Sequence, residues 1–362
     1  MNTLQYLRNL GQSLWLDSIS REMLDDGRIQ RYARELGVTG LTSNPTIFDE
    51  AIASGAYDAD IERKSREGKS NEDLFTELAL DDLRRAATLF LPAFERTQGV
   101  DGWVSMEVSP LLANDTPGSV RAAANIHGAA NVPNLFVKIP GTREGVGAIE
   151  QCIYDGIPIN VTLLFSPEHY LASANAYLRG IERRLEDGRS PVVASVASLF
   201  VSRWDKAVAN EVPENLRNRL GIAVALRTWE AFGELYASSR WQKLAAAGAR
   251  PQRMLWASTG TKDPKASETL YPEAFAAPDT IDTLPEKTLL ALSRTEATPP
   301  IMPMNGGDAE QTLAEFATLG VYVKPLGDRL QREGAEAFVK SWTQLMQRIA
   351  DKGADLKRKK AG

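Results

Sequence analysis

The chain has 362 residues, 43% hydrophobic and 25% charged, with a formal net charge of -5. Those proportions describe an ordinary water-soluble globular chain, and the mild acidity argues against a nucleic-acid partner, which normally meets a basic patch. One cysteine, Cys152, excludes an internal disulfide framework, and two histidines, His127 and His169, leave no Cys/His zinc cluster.

Met1 to Leu16 builds no apolar stretch of signal-peptide length, and the uncharged run Ser190 to Ser202 is too short and too rich in serine to span a bilayer. The expectation is a cytoplasmic protein with no membrane segment and no structural metal.

Short apolar runs then recur in chain order, at Ser13–Leu16, Gly40–Thr42, Trp103–Val108, Leu135–Ile139, Pro158–Leu164, Val192–Val196 and Met254–Ala257, with a weaker eighth near Asp279–Leu284. Helical patterns separate them: Arg21–Leu36, Asn71–Phe94, Val120–Ala130, Val146–Asp155, Pro167–Leu185, Val201–Val208 and Leu216–Ser239. Strands without alternation, each followed by a helix, predict a parallel sheet covered by helices. Eight units predict an α/β fold, the (β/α)8 or TIM barrel; five or six would predict an open doubly wound sheet. The charged segment Tyr57–Ser70 reads as an insertion, and the Pro-rich stretch Ala297–Met304 as the lead into a C-terminal helical extension with a final helix over Ala335–Ala350. No linker or repeat divides the chain, so residues 1–362 read as one elaborated domain.

Barrel chemistry sits where strands end. The polar residues that interrupt or close the runs are Asp17, Asn44, Glu107, Lys138, Asn160 and Thr162, Ser198 and Arg203, and Ser258 with Lys262. Lys138 is the most unusual, flanked by Phe136, Val137 and Ile139. Facing the interior, such an amine loses hydration, which favours the neutral and nucleophilic form able to condense with a carbonyl. Facing outward, its stem would lie between strand and helix with the charge reaching solvent. Glu107 and Asp17 are either proton-transfer groups or structural partners of the lysine. Arg203 and Lys262, with Ser198 and Ser258, either bind an anion or form surface ion pairs. GVGAIE at 145–150 and TGTKD at 259–263 lack the glycines of dinucleotide- and phosphate-binding loops.

Taken in order, SLWLDSISREML, GVTGLTSNPTIF, VSMEVSP, FVKIPGTREGVGAIEQ, GIPINVTLLFS, ASLFVSRWD and EGAEAFVKSW resemble the transaldolases, from about Ser13 to Trp342. The resemblance is to the longer type found in actinobacteria and some other bacteria. It implies a cofactor-free transfer of a dihydroxyacetone unit. The donor is sedoheptulose 7-phosphate or fructose 6-phosphate, and the acceptor glyceraldehyde 3-phosphate or erythrose 4-phosphate, in the non-oxidative pentose phosphate pathway. It implies Lys138 as the Schiff-base lysine, Asp17 and Glu107 as acid/base carboxylates, and Asn44, Asn160, Thr162 and Ser198 around the sugar. Arg203 matches a phosphate-binding arginine. Many relatives carry a second arginine two residues past a serine; here Ser258-Thr259-Gly260 stands there, and Lys262 is the substitute expected. The rivals are a fructose 6-phosphate aldolase, whose known members are shorter and tend to differ at the glutamate, and a non-catalytic sugar-phosphate-binding barrel. Monomer and homodimer are both compatible with the sequence.

Overall fold

The computed structural model describes Asn2 through Ala361, with side chains as far as Asp355. Eight parallel strands close into a barrel in sequence order: β1 Ser13–Leu16, β2 Gly40–Leu41, β3 Val104–Glu107, β4 Leu135–Pro140, β5 Ile159–Leu164, β6 Ser195–Phe200, β7 Arg253–Ala257 and β8 Ile281–Leu284. The last strand pairs with the first, Trp15 opposite Thr283, so the sheet has no free edge. The expected (β/α)8 architecture is therefore the observed one.

Successive residues of a strand face opposite sides, and register decides which inward groups meet. Glu107 lies opposite Lys138, and Lys138 opposite Asn160. One turn of the pleat below, Phe136 stacks on Trp103 at 4.1 Å and approaches Trp15 at 6.2 Å, filling the barrel. Beneath them Asp101 accepts from Ser13 Oγ at 2.7 Å and Trp15 Nε1 at 2.8 Å. This closed floor leaves the C-terminal mouth as the open end.

The sixth strand is the main correction. It was expected at Val192–Val196, but the ladders to β5 and β7 run from Ser195 to Phe200. Pro191 supplies no backbone donor at the start of the apolar run, and the hydroxyls of Ser195 and Ser198 disguise a strand that faces a polar interior. Ser198 thus sits within β6 rather than after it. The pattern over Arg21–Leu36 is broken at Gly27, whose φ of +72° ends one helix turn before the next begins. Residues 216–239 resolve into a 3-10 turn at Glu214–Leu216 and helices Leu220–Ala237 and Ser239–Ala246.

The C-terminal helix is much longer than Ala335–Ala350; it runs from Val323 to Ala361. Its buried residues Leu326, Leu330, Gly334, Phe338, Trp342, Leu345 and Ile349 recur at three- and four-residue spacing. Gly327 and Gly334 weaken the apolar pattern in the sequence but allow close approach to the barrel. Arg348 anchors the far end on Asp49, with Nε to Oδ1 at 2.6 Å. Tyr57–Ser70, read as an insertion, carries the helix Asp58–Ser65, which packs beneath this one. Among the described residues no helix is long and apolar enough to cross a membrane.

Candidate active site

A cavity of about 140 Å³ opens at the C-terminal end of the strands and is lined by Asp17, Asn44, Lys138, Thr162, Ser198, Arg203, Ser258 and Lys262. Eight of the ten sequence-selected side chains therefore meet around one space. The other two, Glu107 and Asn160, pack against Lys138 and Ser198. A larger cavity of about 560 Å³ lies among residues that precede the strands, such as Ala194 and Asp279. Its walls include Trp103, Phe136, Trp229 and Trp241, with neither a buried amine nor a carboxylate pair, so it lacks the chemistry gathered at the mouth.

The interior position of Lys138 decides between the two readings of that residue. Its side chain is 6% exposed, and Nζ donates to the Ser43 carbonyl at 2.9 Å and lies 3.2 Å from Glu107 Oε2. An amine with one carbonyl and one carboxylate around it keeps a face toward the cavity. Ser43 is held in turn, its hydroxyl donating to the Ser105 carbonyl at 2.8 Å.

Both carboxyls sit above their ordinary proton affinity. Burial raises the Glu107 pKa, the nearby Asp17 charge adds to this, and Lys138 and Arg203 oppose it. Burial likewise raises Asp17, against the pull of Lys138, the Thr42 hydroxyl and Lys262. The Asp17 carboxylate accepts from Thr42 Oγ1 at 2.8 Å, and Thr42 meets Thr283 Oγ1 at 2.7 Å, which fixes the carboxylate at the end of β1. Raised carboxyls beside an amine suit proton exchange near neutral pH.

On the β5–β6 side, Ser198 Oγ donates to Asn160 Oδ1 at 2.7 Å and Asn160 Nδ2 donates to Ser105 Oγ at 3.2 Å. This chain orients the wall beside the amine. Thr162 Oγ1 is buried with no protein partner, leaving it for a ligand hydroxyl or a water. Asn44 caps the helix Pro45–Ala53, its Oδ1 accepting from Ile47 N at 3.1 Å. That role occupies the oxygen and leaves the amide N–H groups for the cavity.

Arg203 lies in the first turn of the helix Ser202–Val208 just past β6. Its guanidinium lies between the Phe200 ring at 5.3 Å and the Phe338 ring at 5.7 Å. Burial draws its pKa down, with Glu107 and Glu333 opposing. It makes no ion pair within 4 Å among the described residues, which argues against the surface-pair reading. Lys262 is exposed at the rim beyond β7, also without an ion pair, and shares the cavity with Arg203. Ser258 differs from the expectation that it is free to bind: its hydroxyl lies 2.9 Å from Ser202 Oγ, joining the loops after β6 and β7.

The sequence reading missed Thr42, Ser43, Ser105, Thr283 and Phe338. Ser105 and Thr283 had a signal, since each is a hydroxyl on the inward side of its strand, two residues and one residue from the strand end. Ser43 acts through its carbonyl, and Phe338 arrives from a distant helix; neither leaves a local trace. Among the described residues no group of three or more His, Cys, Asp and Glu side chains is placed to hold a metal ion.

The family model described as Transaldolase/Fructose-6-phosphate aldolase matches residues 14–349. A protein of Thiobacillus denitrificans named transaldolase is 42% identical over 358 residues, covering 96% of this chain and 100% of its own length. A transaldolase of Thermobifida fusca is 41% identical, covering 96% of this chain and 97% of its own. A transaldolase of Trichodesmium erythraeum is 35% identical, covering 97% of each.

Proposed function

The chain belongs to the transaldolase/fructose-6-phosphate aldolase family, and from that premise we propose that it is a transaldolase using Lys138 as its Schiff-base amine. It is an enzyme of the transferase class. The observation that carries the assignment is one amine, buried inside the barrel, held 3.2 Å from a carboxylate and facing a cavity that also holds Arg203.

Proton transfer from Lys138 to Glu107 gives a neutral amine and a neutral acid. Glu107, 3.2 Å from Nζ and with its proton affinity raised by burial, is the carboxylate placed to take that proton. The amine attacks C2 of the ketose phosphate. Glu107 returns a proton to the resulting hydroxyl, water leaves, and an iminium ion remains. Asp17 then takes the proton of the C4 hydroxyl, and the C3–C4 bond breaks. Its electrons pass into the iminium to give an enamine, so the protein-bound nitrogen serves as the electron sink and the route calls for no cofactor. The departing aldose phosphate is replaced by a second aldehyde, and the same steps run backward.

The remaining side chains bind and orient. Asn44 and Asn160, with Ser198 and Thr162, face the hydroxyls of the three-carbon unit. Arg203 receives the phosphate at the distance set by the sugar chain, stiffened by its two aromatic neighbours. Lys262 adds charge on the neighbouring rim beyond β7 without the planar fork of a second arginine. We assign the enzyme to the non-oxidative pentose phosphate pathway, whose chemistry is transfer between ketose and aldose phosphates, and to the cytoplasm.

The test compares fructose 6-phosphate alone with fructose 6-phosphate plus erythrose 4-phosphate. A transaldolase forms sedoheptulose 7-phosphate and glyceraldehyde 3-phosphate with the acceptor and releases little dihydroxyacetone without it. Equal turnover without acceptor would mean an aldolase, no turnover a binding protein, and inhibition by EDTA a metal-dependent reaction.

A further inference from the structure

The C-terminal helix contributes more to the mouth than cover. Gly327, Gln331, Gly334 and Phe338 lie four, three and four residues apart, on one face of the helix Val323–Ala361. Phe338 lines the catalytic cavity, and the ideal Cβ positions at Gly327 and Gly334 lie 3.2 Å from Trp204 and 2.9 Å from Arg203 Nη1. Between these contacts Gln331 uses one amide nitrogen for two bonds. Its Nε2 donates to the Gly141 carbonyl at 3.0 Å and to the Leu163 carbonyl at 2.9 Å.

Those carbonyls belong to the rims of the strands that carry Lys138 and Thr162. Pairing between β5 and β6 shifts register between Val161 and Leu164, and Leu163 lies at φ +58°, a left-handed conformation unusual for a branched side chain. Thr162, two residues past Asn160 and so on the same inward face, lines the cavity, where its hydroxyl has no protein partner to fix it. Gly141 N donates to the Thr162 carbonyl at 2.8 Å, joining the two rims directly below. Gln331 closes this seam from above. Without it, two carbonyl oxygens at the β4–β5 rim lose their donor and recruit water.

Resting on the transaldolase reading, we propose that Gln331 is a positioning residue that keeps water from the lysine-bound three-carbon unit and so favours transfer over release. Release consumes one water. The enamine carbon C3 takes a proton, water adds to C2 of the iminium, and the C2–N bond breaks. Free dihydroxyacetone departs and Lys138 regains its amine. A seal at the β4–β5 rim slows this route while leaving carbon–carbon cleavage untouched.

The test uses the full-length enzyme with Gln331→Met, which keeps the size of the side chain but removes the donor. Gln331→Asn, which stays polar but is too short to reach both carbonyls, is the second variant should the first fold poorly. Both are assayed with fructose 6-phosphate and erythrose 4-phosphate for dihydroxyacetone released per dihydroxyacetone transferred. That ratio does not depend on the amount of active protein, so a loss of folded enzyme does not move it. The expected result is a rise of at least fivefold, with the borohydride-trapped adduct on Lys138 retained. A smaller change in folded protein overturns the role of Gln331, whatever happens to total activity. Failure of the unmodified enzyme to form the adduct would instead overturn the Schiff-base reading.

Discussion

Gly334→Ala separates stability from substrate binding. The added Cβ would meet Arg203 Nη1 at 2.9 Å and Leu163 Cδ2 at 3.0 Å, whereas ordinary contact begins near 3.4 Å. The guanidinium must therefore retreat by about 0.5 Å, taking the difference between 3.4 and 2.9. Both displaced atoms are the ends of flexible side chains, so the fold can yield. The substitution also removes a helical glycine, worth about 1 kcal/mol in favour of alanine.

The cost falls on the phosphate. Arg203 is confined by the rings of Phe200 and Phe338, so its retreat misaligns the fork rather than sliding it. A hydrogen bond to a charged group contributes about 1.5–3 kcal/mol. Losing one raises KM for fructose 6-phosphate roughly ten- to hundredfold, at about 1.4 kcal/mol per factor of ten. Steady-state kinetics and a thermal melt read both quantities. The expected variant is at least as heat-stable as the parent, with raised KM and little change in kcat. An unchanged KM at unchanged stability would refute the placement of the phosphate at Arg203.

Three other substitutions probe separate parts of the site and fold. Asp17→Asn should still form the reducible adduct but lose carbon–carbon cleavage by about 10²–10⁴-fold, the usual weight of a positioned acid/base group; near-normal turnover would remove Asp17 from that step. Lys262→Ala should raise KM for phosphorylated sugars with kcat nearly preserved, and an unchanged KM would place the phosphate away from that rim. Asp282→Asn tests a buried carboxyl outside the site. Burial pushes Asp282 up to about 8, with Thr259 Oγ1 donating to Oδ1 at 2.9 Å and Oδ2 unpaired. The folded state then holds a proton that the unfolded chain releases near pH 3.8, so this contribution is complete below that pH and is lost as pH rises through about 8. Chemical denaturation at pH 6 and pH 9 should show a smaller decline for the variant than for the parent; equal declines would contradict the assignment.

Much of the barrel was legible because buried parallel strands are apolar on both faces, and a charge inside such a run stands out. Lys138 among Phe136, Val137 and Ile139 is the clearest case. Where the interior turns polar the signal inverts: β6 carries hydroxyls on both faces, Ser198 inward and Ser195 outward, so the more apolar Pro191–Ala194 stretch looked like the strand. The Lys138–Glu107 pairing could be suspected from residue type but not located, since it depends on the register between β3 and β4. Gln331 was out of reach for another reason. Its partners are the backbone carbonyls of Gly141, 190 positions away, and Leu163, 168 away, and a carbonyl has no residue-specific signature. One of three glutamines in a long helix, it looks like a solvated polar residue until the helix is laid across the mouth. Ser258 shows the converse, a hydroxyl in the right loop already engaged with Ser202.

The most direct measurement is mass spectrometry of the enzyme reduced with borohydride in the presence of fructose 6-phosphate. The account predicts one three-carbon adduct per chain on the peptide containing Lys138, absent from Lys138→Ala. An adduct on a different lysine, or none in the unmodified enzyme, would contradict it.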